Sequence, residues 1–228
     1  MLGCRWMARP VSALILSLAL IGAPALAQDA AEAPPLDRGS PTVVRLAEWA
    51  LSTGDNAGLP FIIIDKPGAE VFVFDAQGRL LGAAPALLGL ARGDDSVPGI
   101  GDRALSAITP DERTTPAGRF MAGYGPAAGM KTVFWVDYAT AISLHPVITG
   151  NPKDHRRKRL ASPTPDDNRI TYGCINVPPE FYADVVRPTF KETRGVVYVV
   201  PEERPLEDVF PGLAIHTAAA ASPDPAQP

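Results

Sequence analysis

The sequence contains few residues of the kinds that form disulfides or metal sites. Its 228 residues include two cysteines and three histidines, and the net charge is −4. No cysteine–histidine spacing matches a zinc motif, so neither a metal nor a cofactor is predicted. An acidic chain lacks the positive surface that nucleic acids require, so no nucleic-acid partner is expected. Internal repeats and coiled-coil heptads are also missing, and a single domain is expected from the length.

A long apolar run occurs near the N-terminus. Arg5 and Arg9 precede the apolar residues 11–21, and the small residues of Ala25-Leu26-Ala27 follow. This order predicts a secretory signal peptide over residues 1–27. The alternative is a membrane anchor, but a membrane span needs about 20 apolar residues. We therefore predict export to the periplasm or cell envelope, with no stable membrane anchor after cleavage.

Cleavage after residue 27 would remove Cys4 and leave Cys174 as the only cysteine. A lone thiol in an exported protein has no intramolecular disulfide partner, so it serves either packing or chemistry. Gly173 allows the backbone to turn sharply beside it. Polar Thr171 and Asn176 also flank the thiol, where a purely buried cysteine would have apolar neighbours. These residues indicate a cysteine nucleophile.

The apolar pattern predicts a mostly β domain with a few short helices. Residues 28–41 are rich in Ala, Pro and acidic residues and are expected to form a linker. Apolar spacing predicts a short helix over residues 42–53, and the linker and this helix are assigned to a region of residues 28–59 that precedes the domain. Strands are predicted at 61–64, 70–75, 79–89, 133–136, 141–144 and 196–200, and a second helix at 178–186.

A thiol nucleophile requires a base. His145 ends the predicted strand 141–144, where a side chain is held rigidly. His155 lies in the basic run 155–159, which lowers its basicity, and His216 lies near the C-terminal tail. His145 is therefore the candidate base for Cys174, although a hydrogen-bonded core histidine remains the alternative.

Two segments carry a resemblance to a known family. His145 followed by Thr-Tyr-Gly-Cys-Ile-Asn at 171–176 resembles the signature of the L,D-transpeptidase catalytic domain (YkuD-like). Thr-Pro-Ala-Gly-Arg-Phe at 115–120 is similar to the family's Thr-Pro-x-Gly-x-Phe strand entry. The resemblance covers residues 60–201 and implies a β-sandwich or sheet domain. Residues 202–228 are then a C-terminal extension that is expected to be disordered at its end.

The resemblance also implies roles for individual residues. Cys174 would attack the carbonyl of a peptidoglycan stem peptide, and His145 would accept the thiol proton. The carbonyl of Pro146 would orient the imidazole ring. Backbone N–H groups of Tyr172, Gly173 and Cys174 would form the oxyanion hole. Thr171 and Asn176 would then contact the substrate.

The sequence departs from the family pattern at two places. Tyr172 stands where most members have a second histidine, so thiol activation would rest on His145 alone. The connector 146–170 is long and basic. Its arginines, Arg156 and Arg157, are predicted to meet carboxylates of the stem peptide, unless the segment is simply a solvated loop. A further Gly/Asp-rich connection, 89–103, is predicted to form a hairpin wall beside the cleft.

Several functions remain open at this point. The leading hypothesis is a transpeptidase whose partners are donor and acceptor stem peptides, with an envelope protein as another candidate acceptor. An L,D-carboxypeptidase or endopeptidase would share the same acyl-enzyme and transfer it to water. A non-catalytic peptidoglycan-binding module of the same fold is the third reading. The residue pattern does not separate the first two, which share their first half-reaction. Tyr172 gives weight to the third, whereas the presence of both Cys174 and His145 argues against it.

Overall fold

The computed structural model describes residues 39–127 and 130–214, and it is built around an eight-stranded sheet. The strand order in this sheet is β3-β2-β1-β10-β5-β6-β7-β9, and β4 and β8 form a separate parallel pair. The predicted fold class, mostly β with a few short helices, is confirmed. The strands are β1 (Phe61–Asp65), β2 (Glu70–Phe74), β3 (Leu80–Pro85), β4 (Leu88–Gly89), β5 (Gly118–Ala127), β6 (Met130–Asp137), β7 (Ile142–Pro146), β8 (Arg169–Thr171), β9 (Ile175–Val177) and β10 (Gly195–Val199).

Short helices lie outside the sheet. The longest, α1 (Pro41–Ser52), begins with proline in its first turn, and the Ser40 hydroxyl accepts from the Val43 N–H at 3.4 Å, a common N-terminal cap. The predicted helix 178–186 is present and extends further, as α3 (Pro179–Phe181), a π-helical turn (Tyr182–Val186) and α4 (Arg187–Phe190). Two further short α-helices are α2 (Arg156–Leu160) and α5 (Leu206–Val209), and 3₁₀ turns occur in the connections.

Alternation along the strands gives the sheet two apolar faces. Phe61 and Ile63 of β1 pack toward α1, whereas Ile62 and Ile64 pack toward the helical segment that contains Phe190. Successive strand residues point to opposite faces, so a continuous apolar run such as 61–64 is expected where both faces are covered. Burial of these side chains holds the sheet between two helical layers.

Three sequence predictions differ from the structure. The predicted strand 79–89 is two strands, because β3 ends at Pro85 and β4 pairs with β8 instead. The predicted hairpin within 89–103 is wrong, since this connection contains a 3₁₀ turn at Ile100–Asp102. Strands β5, β8 and β9 lie outside the predicted strands, although the Thr-Pro-x-Gly-x-Phe segment 115–120 leads into β5.

The segment that follows β10 returns to the core. Phe210 and Leu213 are buried beside Trp49 of α1. The first part of the predicted C-terminal extension is therefore packed against the domain. Three predicted segments lie outside the described residues: the disordered end of this extension, the signal peptide and most of the linker. No helix in the ranges 39–127 and 130–214 has the length and apolar character needed to cross a membrane.

Candidate active site

The edge of the sheet places His145 and Asn176 side by side. Strands β7 and β9 run parallel, and His145 pairs with Asn176. Their neighbours Leu144 and Ile175 point into the core cluster on the other face, so His145 and Asn176 share the opposite face. The main chain of Asn176 is fixed by two hydrogen bonds with Leu87, at 2.8 and 2.9 Å.

Cys174 lies in a tight turn between β8 and β9. The Thr171 hydroxyl donates to the carbonyl of Cys174 at 2.7 Å and accepts from the N–H of Gly173 at 3.1 Å. Gly173 has φ +122°, and a Cβ there would lie 2.7 Å from the carbonyl oxygen of Thr114. A side chain at 173 is therefore excluded by both conformation and space.

Thr115 anchors this turn to the interior. Its hydroxyl donates to the Gly173 carbonyl at 2.8 Å and accepts from the Gly89 N–H at 2.9 Å. Its own carbonyl accepts from the buried ammonium of Lys66 at 3.0 Å. The backbone that carries Cys174 is thus connected to a buried charged group through one threonine.

The thiol of Cys174 is half-buried and close to strand β7. Its sulfur lies 3.6 Å from the Ser143 hydroxyl and donates to the Ala141 carbonyl at 3.7 Å. Burial raises the pKa of Cys174, but interactions with His145 and Ser143 lower it by more, so the pKa lies below its usual value. A lowered pKa increases the fraction of thiolate, which is the nucleophilic form.

The imidazole of His145 has a partner at each nitrogen. Nδ1 lies 2.9 Å from the Pro146 carbonyl, and Nε2 lies 3.1 Å from the Asn176 amide nitrogen. A carbonyl only accepts, so Nδ1 carries the hydrogen of the neutral ring. Burial lowers the pKa of His145, but the interaction with Cys174 outweighs it and the pKa lies above its usual value. The opposite shifts in the two groups make transfer of the thiol proton to the imidazole easier.

The connector 146–170 contains ordered turns that reach the site. Arg156, at the start of α2, donates from Nε to the Asp154 carboxylate at 2.9 Å. It also donates from Nη1 to the side-chain oxygen of Asn176 at 3.0 Å. Arg157 is exposed and lines a separate cavity beside Leu160, so the structure brings only the first of the two predicted arginines to the thiol.

Tyr172 forms part of the wall beside Cys174. The Arg113 guanidinium lies 3.9 Å from the centre of its ring, a cation–π arrangement. Six of the predicted site residues line one cavity of about 340 Å³: His145, Arg156, Thr171, Tyr172, Cys174 and Asn176. Gly173 and Pro146 are adjacent to it in the chain. Among the described residues, no group of three potential ligand side chains is placed to hold a metal ion.

Sequence reasoning missed several residues that support the site. Ser143 lies two residues before His145 in β7, and strand alternation would have placed both on one face. Thr115 was noted within a strand entry, but its contact with Gly173 spans 58 residues, and no local pattern indicates it. No sequence pattern indicated Arg113, because Tyr172, on whose ring it stacks, is also remote in sequence.

Searches for related sequences found no family model and no curated protein that matches this chain. Solved structures gave matches at low identity. They include a mutant of Pgp2, the helical cell shape determining protein from Campylobacter jejuni, at 12% identity over 80% of this chain and 65% of that one, with a TM-score of 0.44.

Two other matches are L,D-transpeptidases. A cysteine-to-serine mutant from Enterococcus faecium is 17% identical over 61% of this chain and 49% of that chain, with a TM-score of 0.34. L,D-transpeptidase 1 from Mycobacterium tuberculosis is 16% identical over 62% of this chain and 60% of that chain, with a TM-score of 0.34. The match thus spans from about half to about two thirds of the length of these three structures.

Proposed function

We propose that this protein is a cysteine-dependent L,D-transpeptidase that acts on peptidoglycan stem peptides through an acyl-enzyme. The observation that carries the proposal is the hydrogen bond from His145 Nδ1 to the Pro146 carbonyl at 2.9 Å, in the cavity that holds Cys174. This bond leaves Nε2 as the nitrogen that takes up a proton. A thiol, a base and a group that orients the base are the parts that nucleophilic catalysis requires.

The reaction proceeds in two transfers. The thiol proton of Cys174 moves to His145 Nε2, and the sulfur attacks the carbonyl carbon at the L-centre of the diamino acid. The C–N bond to the terminal D-Ala then breaks, and the imidazolium gives its proton to the leaving amine. The amine of a second stem peptide attacks the thioester, forms the new amide bond and returns the proton to the thiolate.

Backbone donors near Cys174 would stabilise the negative charge of the tetrahedral intermediates. Tyr172 keeps a backbone N–H that can serve this purpose whatever its side chain. The N–H of Gly173 donates to the Thr171 hydroxyl at 3.1 Å. Its use in the oxyanion hole would therefore require that bond to be exchanged for one to substrate.

A non-catalytic peptidoglycan-binding module is the second candidate. The observation that favours it is that two groups needed for catalysis, His145 Nε2 and the Gly173 N–H, already have hydrogen-bond partners. A hydrolytic enzyme of the same fold differs only in the acceptor. We also propose that residues 1–27 direct export of the protein. An envelope protein is a second proposed acceptor, besides a stem peptide.

The test is intact mass spectrometry of the purified protein after incubation with a carbapenem and, separately, with disaccharide-tetrapeptide. We expect a covalent adduct on the wild type and none on Cys174→Ala, with tetrapeptide converted to cross-linked product. Hydrolysed tripeptide as the main product would instead indicate a carboxypeptidase.

Two histidine variants provide matched controls. His145→Gln should lose the adduct, whereas His155→Asn should keep it, because His155 is exposed and asparagine tolerates its left-handed backbone at φ 49°. A folded wild type that forms no adduct and consumes no muropeptide would refute the enzyme and support the binding module.

A further inference from the structure

A chain of hydrogen bonds connects the connector 146–170 to the base. Asn151 donates to Asp154 at 2.8 Å, and Asp154 accepts from Arg156 at 2.9 Å. Arg156 donates to Asn176 Oδ1 at 3.0 Å, and the Asn176 amide nitrogen lies 3.1 Å from His145 Nε2. Four side chains therefore precede the imidazole in one continuous sequence of contacts.

The charge of Arg156 decides which way the Asn176 amide faces. A guanidinium has only donors, so the atom of Asn176 that meets it must be the amide oxygen. The amide NH₂ then faces His145. Because this NH₂ can only donate, Nε2 must accept, and acceptance requires the unprotonated nitrogen of a neutral ring.

The other side of the ring completes the assignment. The Pro146 carbonyl accepts from Nδ1, so both neighbours of His145 are satisfied by one form of the ring, with hydrogen on Nδ1 and the lone pair on Nε2. A second proton on Nε2 would place two donors against each other. Turning the Asn176 amide to relieve this would place its NH₂ against the Arg156 guanidinium instead.

We propose that Arg156 and Asn176 are positioning residues that hold His145 as the neutral Nδ1–H tautomer, with the Asn176 amide occupying its base nitrogen. The Asn176 amide must then give up Nε2 before His145 takes the thiol proton. This inference rests on the proposed function in one respect, the role of His145 as base, and it assigns to Arg156 a role other than direct contact with substrate.

The charged groups around His145 act on it in opposite directions, and Arg156 acts in the direction of the neutral ring. The ionisable groups that line the cavity with His145 are Cys174, Tyr172, Asp154 and Arg156. Burial lowers the pKa of His145, and the nearby charge of Arg156 lowers it further, whereas Cys174 raises it. Arg156 therefore opposes the imidazolium that Cys174 favours, as the amide orientation requires.

NMR titration of His145 tests the proposal without any need for turnover. Spectra of ¹⁵N-histidine-labelled protein give the tautomer and the pKa, and a His145→Gln sample assigns the signal among three histidines. We expect the wild type above its pKa to show the Nδ1–H tautomer. Arg156→Leu should raise the pKa of His145 by roughly half a unit to one unit, because it removes a nearby positive charge and also the hydrogen bond that orients the Asn176 amide.

Asn176→Asp is the second variant, and it tests the same contacts if Arg156→Leu fails to fold. A carboxylate accepts from both Arg156 and a protonated Nε2, so the pKa of His145 should rise by about one unit or more. Lys158→Leu is the control, since it removes one charge from the same short helix at an exposed position. It should leave the tautomer and the pKa unchanged.

Two results would overturn the proposal. One is an Nε2–H tautomer in the wild type. The other is a His145 pKa within about 0.2 unit of wild type in both Arg156→Leu and Asn176→Asp, far below the shift that a nearby charge produces. A rise in KM alone, with His145 unchanged, would make Arg156 a substrate-binding residue. Absence of a carbapenem adduct on the folded wild type would refute the proposed function. The NMR titration of His145 would still test the present inference.

Discussion

Replacing Lys66 by methionine is expected to destabilise the protein strongly. The Lys66 ammonium is completely buried and donates to the Asp94 carboxylate at 2.7 Å and to the carbonyls of Gly93 and Thr115 at 2.6 and 3.0 Å. Glu202 lies 3.7 Å away. Lys66→Met keeps an unbranched side chain of similar length and removes the charge together with its three hydrogen bonds.

The loss of unfolding free energy in Lys66→Met depends on the partners that Asp94 keeps. Asp94 would keep its bonds from the backbone N–H groups of Glu202, Glu203 and Arg204, so its charge would not be wholly without partners. Removing one member of a buried ion pair usually costs about 3–5 kcal/mol. We expect a loss in this range, which is a large part of the roughly 5–15 kcal/mol of a typical domain.

Urea unfolding followed by tryptophan fluorescence measures this loss. Lys158→Met is the matched control at an exposed site and should change the free energy of unfolding by less than about 0.5 kcal/mol. The double variant Lys66→Met/Asp94→Asn should recover part of the loss, because the carboxylate charge left without its ammonium is removed while the amide oxygen can still accept from the N–H groups of Glu203 and Arg204. A loss below about 1 kcal/mol for Lys66→Met would refute the reasoning, since a buried pair would then cost no more than an exposed one.

Three further predictions concern the turn at Cys174 and its supports. The rate of alkylation of Cys174 by iodoacetamide should inflect below the ordinary thiol pKa of about 8.5, because His145 lowers the pKa of Cys174, and His145→Ala should move the inflection to higher pH. Thr115→Val should lower the free energy of unfolding by about 1–3 kcal/mol, because two buried backbone groups lose their partner; urea unfolding would detect this, and an unchanged midpoint would contradict it. Burial raises the pKa of Asp94, but Lys66 and three backbone N–H groups lower it to about 2, below its ordinary 3.8. The stability that this shift contributes, roughly 2 kcal/mol, is therefore present above pH 4 and lost as the pH falls toward 2, so Asp94→Asn should flatten the pH dependence of unfolding between pH 4 and 2.

Much of the strand pattern was readable because the central strands are covered on both faces. Continuous apolar runs such as 61–64 and 196–200 are typical of that environment. Strand β5 was not readable, because residues 118–127 contain three glycines, a proline and half-exposed side chains. Its strand conformation comes from its pairing with β10 and β6, which are remote or later in the sequence.

The candidate site was partly readable for a similar reason. Local signals, a lone thiol beside glycine and a histidine at the end of a strand, indicated Cys174 and His145. The contacts of Asn176 with His145 and with Arg156 could not be predicted, because they depend on the register of β7 against β9 and on the path of the connector 146–170. The family resemblance suggested a substrate contact for Asn176, and the basic connector suggested one for Arg156. In the structure these two side chains contact each other, and Asn176 also contacts His145.

Strand β10 gives the sheet an order of assembly. It lies between β1 and β5, pairing parallel with one and antiparallel with the other. Until residue 199 has been synthesised, the hairpins formed from β1 to β3 and from β5 to β7 have no strand to join them, and each keeps an open edge. A nascent chain therefore cannot complete this sheet early, and an intermediate that lacks β10 would hold two unjoined halves.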